Sequence, residues 1–146
     1  MLGNSAKKLK YHTIHDFRSA SDYLDYMFSG IQGVCYRATI NPRYYQEYYR
    51  SSGLAKVDYD GMDNVYVSMN TFYRKKNTDR QKGREVALLK RLNALYVDID
   101  CYKVGLSKGE VLLRLEDDFY NTKIPVPTFT IDSGRGIYLI WKIRNE

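Results

Sequence analysis

Asp98 and Asp100 are the residues of this chain best suited by type and spacing to do chemistry. They lie in Asn-Ala-Leu-Tyr-Val-Asp-Ile-Asp-Cys-Tyr, residues 93–102, where Leu95, Val97 and Ile99 alternate with Tyr96, Asp98 and Asp100. Such alternation predicts a buried strand, and side chains two apart in a strand leave the same face. At about 3.3 Å of rise per residue, the two Cα atoms stand roughly 6.5–7 Å apart. Carboxylates that close repel each other unless a cation or a proton is shared. Hard divalent ions such as Mg²⁺ or Mn²⁺ take oxygen ligands and bridge phosphate oxygens. The pair is therefore expected to hold metal for phosphoryl chemistry, with Asp98 and Asp100 as ligands and catalytic groups. A lone Asp-x-Asp is a weak signal, and its plain alternative is a strand end whose carboxylates face water.

Two further stretches suit the same chemistry. Ser133-Gly134-Arg135-Gly136 combines glycines, which expose backbone N–H groups to an anion, with an arginine whose planar fork matches phosphate. In isolation it reads more simply as a glycine hairpin with a solvated arginine. Residues 74–84 hold Arg74, Lys75, Lys76, Arg80, Lys82 and Arg84 against Asp79 alone, a net +5. They follow residues 64–70, an expected strand with Val65, Val67 and Met69 on one face and Tyr66, Ser68 and Asn70 on the other. Ser68, Asn70, Arg74, Lys75, Lys76, Arg80 and Arg84 are thus expected to meet nucleic-acid backbone, although a charge run is often only a solvated face.

The elements that must position these groups follow from spacing. Thr13 with Asp16 predicts a helix start, continued by Ile14, Phe17, Ser21, Leu24 and Phe28 and ended by Gly30. A strand is expected at 33–39, and Asn41-Pro42 predicts a helix over 43–50. The four-residue spacing of Tyr44/Tyr45 and Tyr48/Tyr49 would place them on one flank of it, packing on the domain. Thr78 or Asp79 would cap another helix running to Leu92, with Val86 and Leu89 inward. Ser107-Lys108-Gly109-Glu110 is a capping box, and Val111, Leu112, Leu115 and Phe119 form the buried stripe after it. Strands over 128–131 and 137–143 would be joined by Asp132-Ser133-Gly134-Arg135-Gly136 as a hairpin. The order α-β-α-β-α-β-α-β-β indicates an α+β domain: a mixed sheet of about five strands with packed helices.

Bulk properties agree with a folded, polyanion-binding protein. At 146 residues, 44% hydrophobic and 14% aromatic, the chain suits one domain over 13–146 after a flexible basic stretch 1–12 carrying Lys7, Lys8 and Lys10. Lys and Arg exceed Asp and Glu by 23 to 17, a net +6. Cys35 and Cys101 form no CxxC, and His12 and His15 are the only histidines, so a structural zinc site is not expected and a reducing compartment is. No signal-peptide core and no run of about 20 apolar residues is present, which predicts a soluble, cytoplasmic protein without a membrane partner.

In combination the motifs resemble a known family. Leu-Tyr-Val-Asp-Ile-Asp at 95–100 and Asp-Ser-Gly-Arg-Gly-Ile-Tyr-Leu-Ile-Trp at 132–141 resemble the first and second motifs of the archaeo-eukaryotic primase superfamily. The likeness is to the prim-pol branch found in replication proteins of bacterial plasmids and mobile elements. Val-Tyr-Val-Ser-Met-Asn-Thr-Phe-Tyr-Arg at 65–74 resembles the segment before the first motif, so the likeness covers residues 64–143. It implies an RRM-like sheet, a nucleoside triphosphate, a single-stranded or primer-template DNA partner, Mg²⁺ or Mn²⁺, and nucleotidyl transfer to a primer. By the same resemblance Asp98 and Asp100 are metal ligands, and Ser133, Gly134, Arg135 and Gly136 form the nucleotide loop. Tyr138 stands where many members carry histidine, so Arg135 and Lys142 would take over triphosphate contact. The family's third motif, a later acidic ligand, does not follow Trp141. The chain is accordingly expected to be the N-terminal part of a longer replication protein, truncated on its C-terminal side and inactive alone, with a helicase module as a possible companion. The alternative is a non-catalytic single-stranded nucleic-acid-binding module, with aromatic rings stacking on bases and residues 74–84 following the backbone. A nicking initiator using Tyr44 and Tyr48 lacks the paired histidines such enzymes need.

Overall fold

A computed structural model describes residues 19–74 and 82–143. The expected start at Thr13 and the stretch 1–12 lie outside the described residues. So do Thr78 and Asp79. The described chain divides into two compact units, one running to Ala94 and including Lys142 and Ile143, the other spanning Leu95–Trp141. The α+β class holds. Its strands are shared between a five-stranded antiparallel sheet in the first unit and a three-stranded sheet in the second.

In the first unit α1 (Ala20–Phe28) starts at Ser19, whose side chain accepts from the Asp22 amide at 3.2 Å. Leu24, Met27 and Phe28 are its buried side chains. β1 (Val34–Ile40) is the middle of the sheet, pairing with β2 (Tyr44–Arg50), β3 (Val65–Val67) and β4 (Thr71–Phe72). A one-turn helix, α2 (Ser51–Leu54), follows β2. β5 (Leu89–Arg91) pairs with β4 at the far edge. Val34, Tyr36 and Phe72 form a buried cluster, with Tyr48 and Leu89 packed against it.

Two expected helices are corrected here. Residues 44–50 are a strand, in register with β1 from Val34↔Arg50 to Ile40↔Tyr44. The tyrosine spacing did not discriminate, because positions four apart share a face in a strand as well as in a helix. Tyrosine's preference for a pleated, half-buried surface decided the outcome. Residues 82–92 hold only a 3-10 turn (Val86–Leu88) before β5. Gly83, at φ +111, is buried against Tyr36, and the Leu88 carbonyl accepts from the Tyr73 amide at 2.7 Å, so the sheet edge recruits the chain.

β6 (Ala94–Ile99), β8 (Ile137–Lys142) and β7 (Phe129–Asp132) form the sheet of the second unit in that order, with the end residues Ala94 and Lys142 grouped in the first unit. α3 (Lys108–Asp118) has the full capping box: Ser107 Oγ accepts from the Glu110 amide at 3.2 Å, and Glu110 Oε2 accepts from the Ser107 amide at 2.8 Å. Val111 and Leu115 pack with Cys101, Tyr120, Ile137 and Leu139 into the core. β7 and β8 are antiparallel from Phe129↔Ile140 to Asp132↔Ile137, the expected hairpin.

The burial expected of the aspartate strand is corrected. Leu95, Tyr96 and Val97 are 57%, 57% and 47% exposed, and Asp98 is exposed too. β6 is the edge of a three-stranded sheet, and alternation tells which side chains share a face without telling what covers it. Among the described residues no helix is long and apolar enough to cross a membrane.

Candidate functional site

The hairpin between β7 and β8 is shaped by its own side chains. Asp132 Oδ1 accepts from the Gly134 amide at 2.7 Å, and Gly134 takes φ +85, where a side chain would be strained. The Ser133 amide donates to the Gly136 carbonyl at 3.0 Å, and the Gly136 amide donates to Ser133 Oγ at 3.1 Å. Lys108, the first residue of α3, reaches across to donate to Asp132 Oδ1 and Oδ2 at 2.7 and 2.6 Å and to the Gly134 carbonyl at 3.0 Å. The hydrogen bond from Lys108, with that from the Gly134 amide, holds the Asp132 carboxyl below its ordinary range. Arg135 at the tip is exposed and makes no ion pair with a described residue.

The hairpin abuts the end of the aspartate strand. A Cβ on buried Gly136 would stand 2.1 Å from the Ile99 carbonyl oxygen and 3.3 Å from Asp100 Cα. Only the absence of a side chain permits that approach. β6 ends at Ile99, and Asp100 opens a 3-10 turn (Cys101–Val104). Its carboxylate forms an ion pair with Lys103, and this hydrogen bond and charge raise the Lys103 ammonium above its ordinary value. Asp98 shares a strand face with Tyr96, and the Tyr96 ring meets the Tyr138 ring edge-on at 6.4 Å and 88°. One unit thus brings together Asp98, Asp100, Ser133, Gly134, Arg135, Gly136 and Tyr138.

The donor set suits a hard cation in kind: two carboxylates, with no thiolate and no imidazole among the described residues. Among the described residues no group of three or more His, Cys, Asp or Glu is arranged to hold a metal. Mg²⁺ is commonly held by one or two carboxylates with substrate phosphates completing the shell, so two aspartates beside a phosphate-seeking loop fit that mode. An ion at Asp100 would compete with Lys103.

Lys142 belongs to the other unit, where Nζ donates to the Tyr26 carbonyl and lies 4.4 Å from that ring's centroid. Ser68 Oγ accepts from the Tyr36 amide at 2.9 Å and donates to the Asn70 carbonyl at 3.1 Å. Asn70 Oδ1 accepts from the amide of buried Asn93 at 3.0 Å, so both side chains serve the fold. Arg74 stands over the Tyr48 ring at 5.5 Å, and Arg84 is exposed. Lys75, Lys76 and Arg80 lie outside the described residues. Sequence spacing missed the Lys108–Asp132 clamp, which spans 24 positions and exists only once α3 lies beside the hairpin. The one local signal was Asp132 two residues before a glycine, an Asx-turn pattern.

No family profile and no solved structure matches this chain. A protein of Clostridium perfringens named "Replication protein" is 38% identical to it over 123 residues, covering 84% of this chain and 28% of that protein. The chain spans little more than a quarter of that relative's length, and over most of its own length it is similar to a segment of a replication protein.

Proposed function

We propose that this chain is part of a DNA replication protein and carries the metal- and nucleotide-binding elements of a primase/polymerase-type nucleotidyl-transfer site. The similarity to a replication protein supports the broader role. One observation carries the finer reading: Gly136 seats the Ser-Gly-Arg-Gly hairpin directly against the backbone of Ile99 and Asp100. A loop that attracts phosphate and a carboxylate pair that attracts a divalent ion thereby share one place.

In this reading the Arg135 guanidinium binds and orients a triphosphate, and Lys108 holds the loop in shape through Asp132. Asp98 and Asp100 would hold Mg²⁺ or Mn²⁺, which, when bound, neutralises phosphate charge as it shifts toward the leaving group. Tyr138 offers a neutral hydroxyl donor where an imidazolium would bring charge, leaving Arg135 as the cation of the loop. Arg74 and Arg84 serve the nucleic-acid backbone. Mn²⁺ titration followed by electron paramagnetic resonance tests the assignment. Binding by the parent that is lost in Asp98→Asn/Asp100→Asn is the expected result, and equally weak binding by both would overturn it.

A further inference from the structure

The first unit contains a cleft of about 850 Å³, walled by the end of α1, the start of β1, the end of β2 and the segment after β4. Its cations are Arg50, Arg74 and Lys90, its one carboxylate is Asp25, and Tyr73 is 56% exposed. We propose that this cleft binds single-stranded nucleic acid, with a base stacked on Tyr73 and phosphates held by Arg50, Arg74 and Lys90.

The cleft has the form of a built site. Tyr73 is fixed by its backbone, whose amide donates to the Leu88 carbonyl at 2.7 Å, so its ring is displayed without a flexible stem. Lys90 Nζ stands 5.5 Å from that ring's centroid, placing a cation beside any base stacked there. Arg74 stands 5.5 Å over Tyr48, Tyr48 packs edge-on to buried Tyr36 at 6.3 Å, and Tyr36 packs edge-on to Phe72 at 5.4 Å. That guanidinium therefore rests on a row of rings rooted in the core, which reduces the rotamer freedom lost on binding phosphate.

Arg50 closes β2 opposite Val34. None of the three cations is paired with a carboxylate among the described residues. Gly33, at φ +133, passes so near that a Cβ would stand 3.0 Å from Thr71 Cβ and 3.3 Å from Lys90 Cδ, so the wall depends on its lacking a side chain. Unpaired cations around a displayed aromatic ring are what a strand with splayed bases requires, whereas a duplex offers no base face to stack. The cleft lies in a different unit from Asp98 and Asp100 and its binding needs no metal, so it stands or falls separately from the catalytic proposal.

Fluorescence anisotropy with a labelled oligothymidylate, in the presence of a metal chelator, tests it. Removing three phosphate contacts from a single strand should flatten the slope of log K against log salt by about 2. Arg50→Gln/Arg74→Gln/Lys90→Gln is expected to show that change. Lys56→Gln/Arg114→Gln/Lys123→Gln, which removes the same charge elsewhere, is expected to keep the parent slope. Tyr73→Ala should weaken binding about tenfold at fixed salt, and Tyr73→Phe should bind as the parent does. Equal flattening by both triple variants, or a Tyr73→Ala protein with the parent's circular dichroism and the parent's affinity, would overturn the proposal. Should the first triple variant fail to fold, the Tyr73 pair alone decides.

Discussion

Lys108 does at the residue scale what no motif announces: it begins a helix and fixes a hairpin 24 positions away. Both oxygens of Asp132 and the carbonyl of Gly134 accept from one ammonium, which neutralises the loop's carboxylate and leaves exposed Arg135 to meet an incoming anion. The clamp has a pH signature. A carboxyl whose folded pKa lies below its unfolded one stabilises the fold above the unfolded value, and that contribution disappears as pH falls through the folded value. For Asp132 the hydrogen bond from Lys108 holds the folded value below the ordinary one, so the clamp is intact at neutral pH and opens only in acid. The Gly134 amide resonance should report this, titrating with a midpoint below the ordinary aspartate value in the parent and moving upward in Lys108→Met. An unmoved midpoint would mean that Lys108 does not hold the loop.

Gly136 and Gly134 separate two reasons for glycine at the scale of the element. Gly134 has nothing within 4 Å of a would-be Cβ but takes φ +85, so Gly134→Ala costs backbone strain of about 1–2 kcal/mol. Gly136 has no such φ and collides with the Ile99 carbonyl, so Gly136→Ala must push β8 away from β6 and should cost roughly 3 kcal/mol, the upper end of overpacking. Chemical denaturation should rank Gly136→Ala below Gly134→Ala, and the reverse order would refute the close approach. What the sequence made legible divides along the same line. The α3 capping box and the β7–β8 hairpin are local patterns, and each formed as spacing dictates, whereas the aspartate strand formed only over Ala94–Ile99 and leaves Asp100 beyond its end. β2 was illegible because a four-residue repeat fits both periods, and the exposure of Leu95 and Val97 because a strand pattern is silent about its cover. In the candidate site the aspartates and the glycine loop were readable as types, whereas Lys103 on Asp100 and Lys108 on Asp132 needed the fold.

Charge is divided unevenly over the whole molecule. Residues 95–141 carry five basic and seven acidic side chains, a net −2, whereas residues 16–94 with 142–146 carry fifteen against ten, a net +5. The carboxylates of Asp98 and Asp100 repel a triphosphate, so nucleotide binding beside them should require the divalent ion, while a strand should bind the cationic stretch in its absence. Hydrogen exchange can follow both events in one protein. Mn²⁺ with a nucleoside triphosphate should slow exchange around residues 97–103 and 132–138, and the triphosphate alone should leave both stretches unchanged. Oligothymidylate with a chelator should slow exchange around residues 29–34, 48–52 and 72–74. Slowing of the same stretches by both ligands would mean that metal chemistry and strand binding are not divided between the two units, and protection by triphosphate without metal would remove the reason for placing the ion at Asp98 and Asp100.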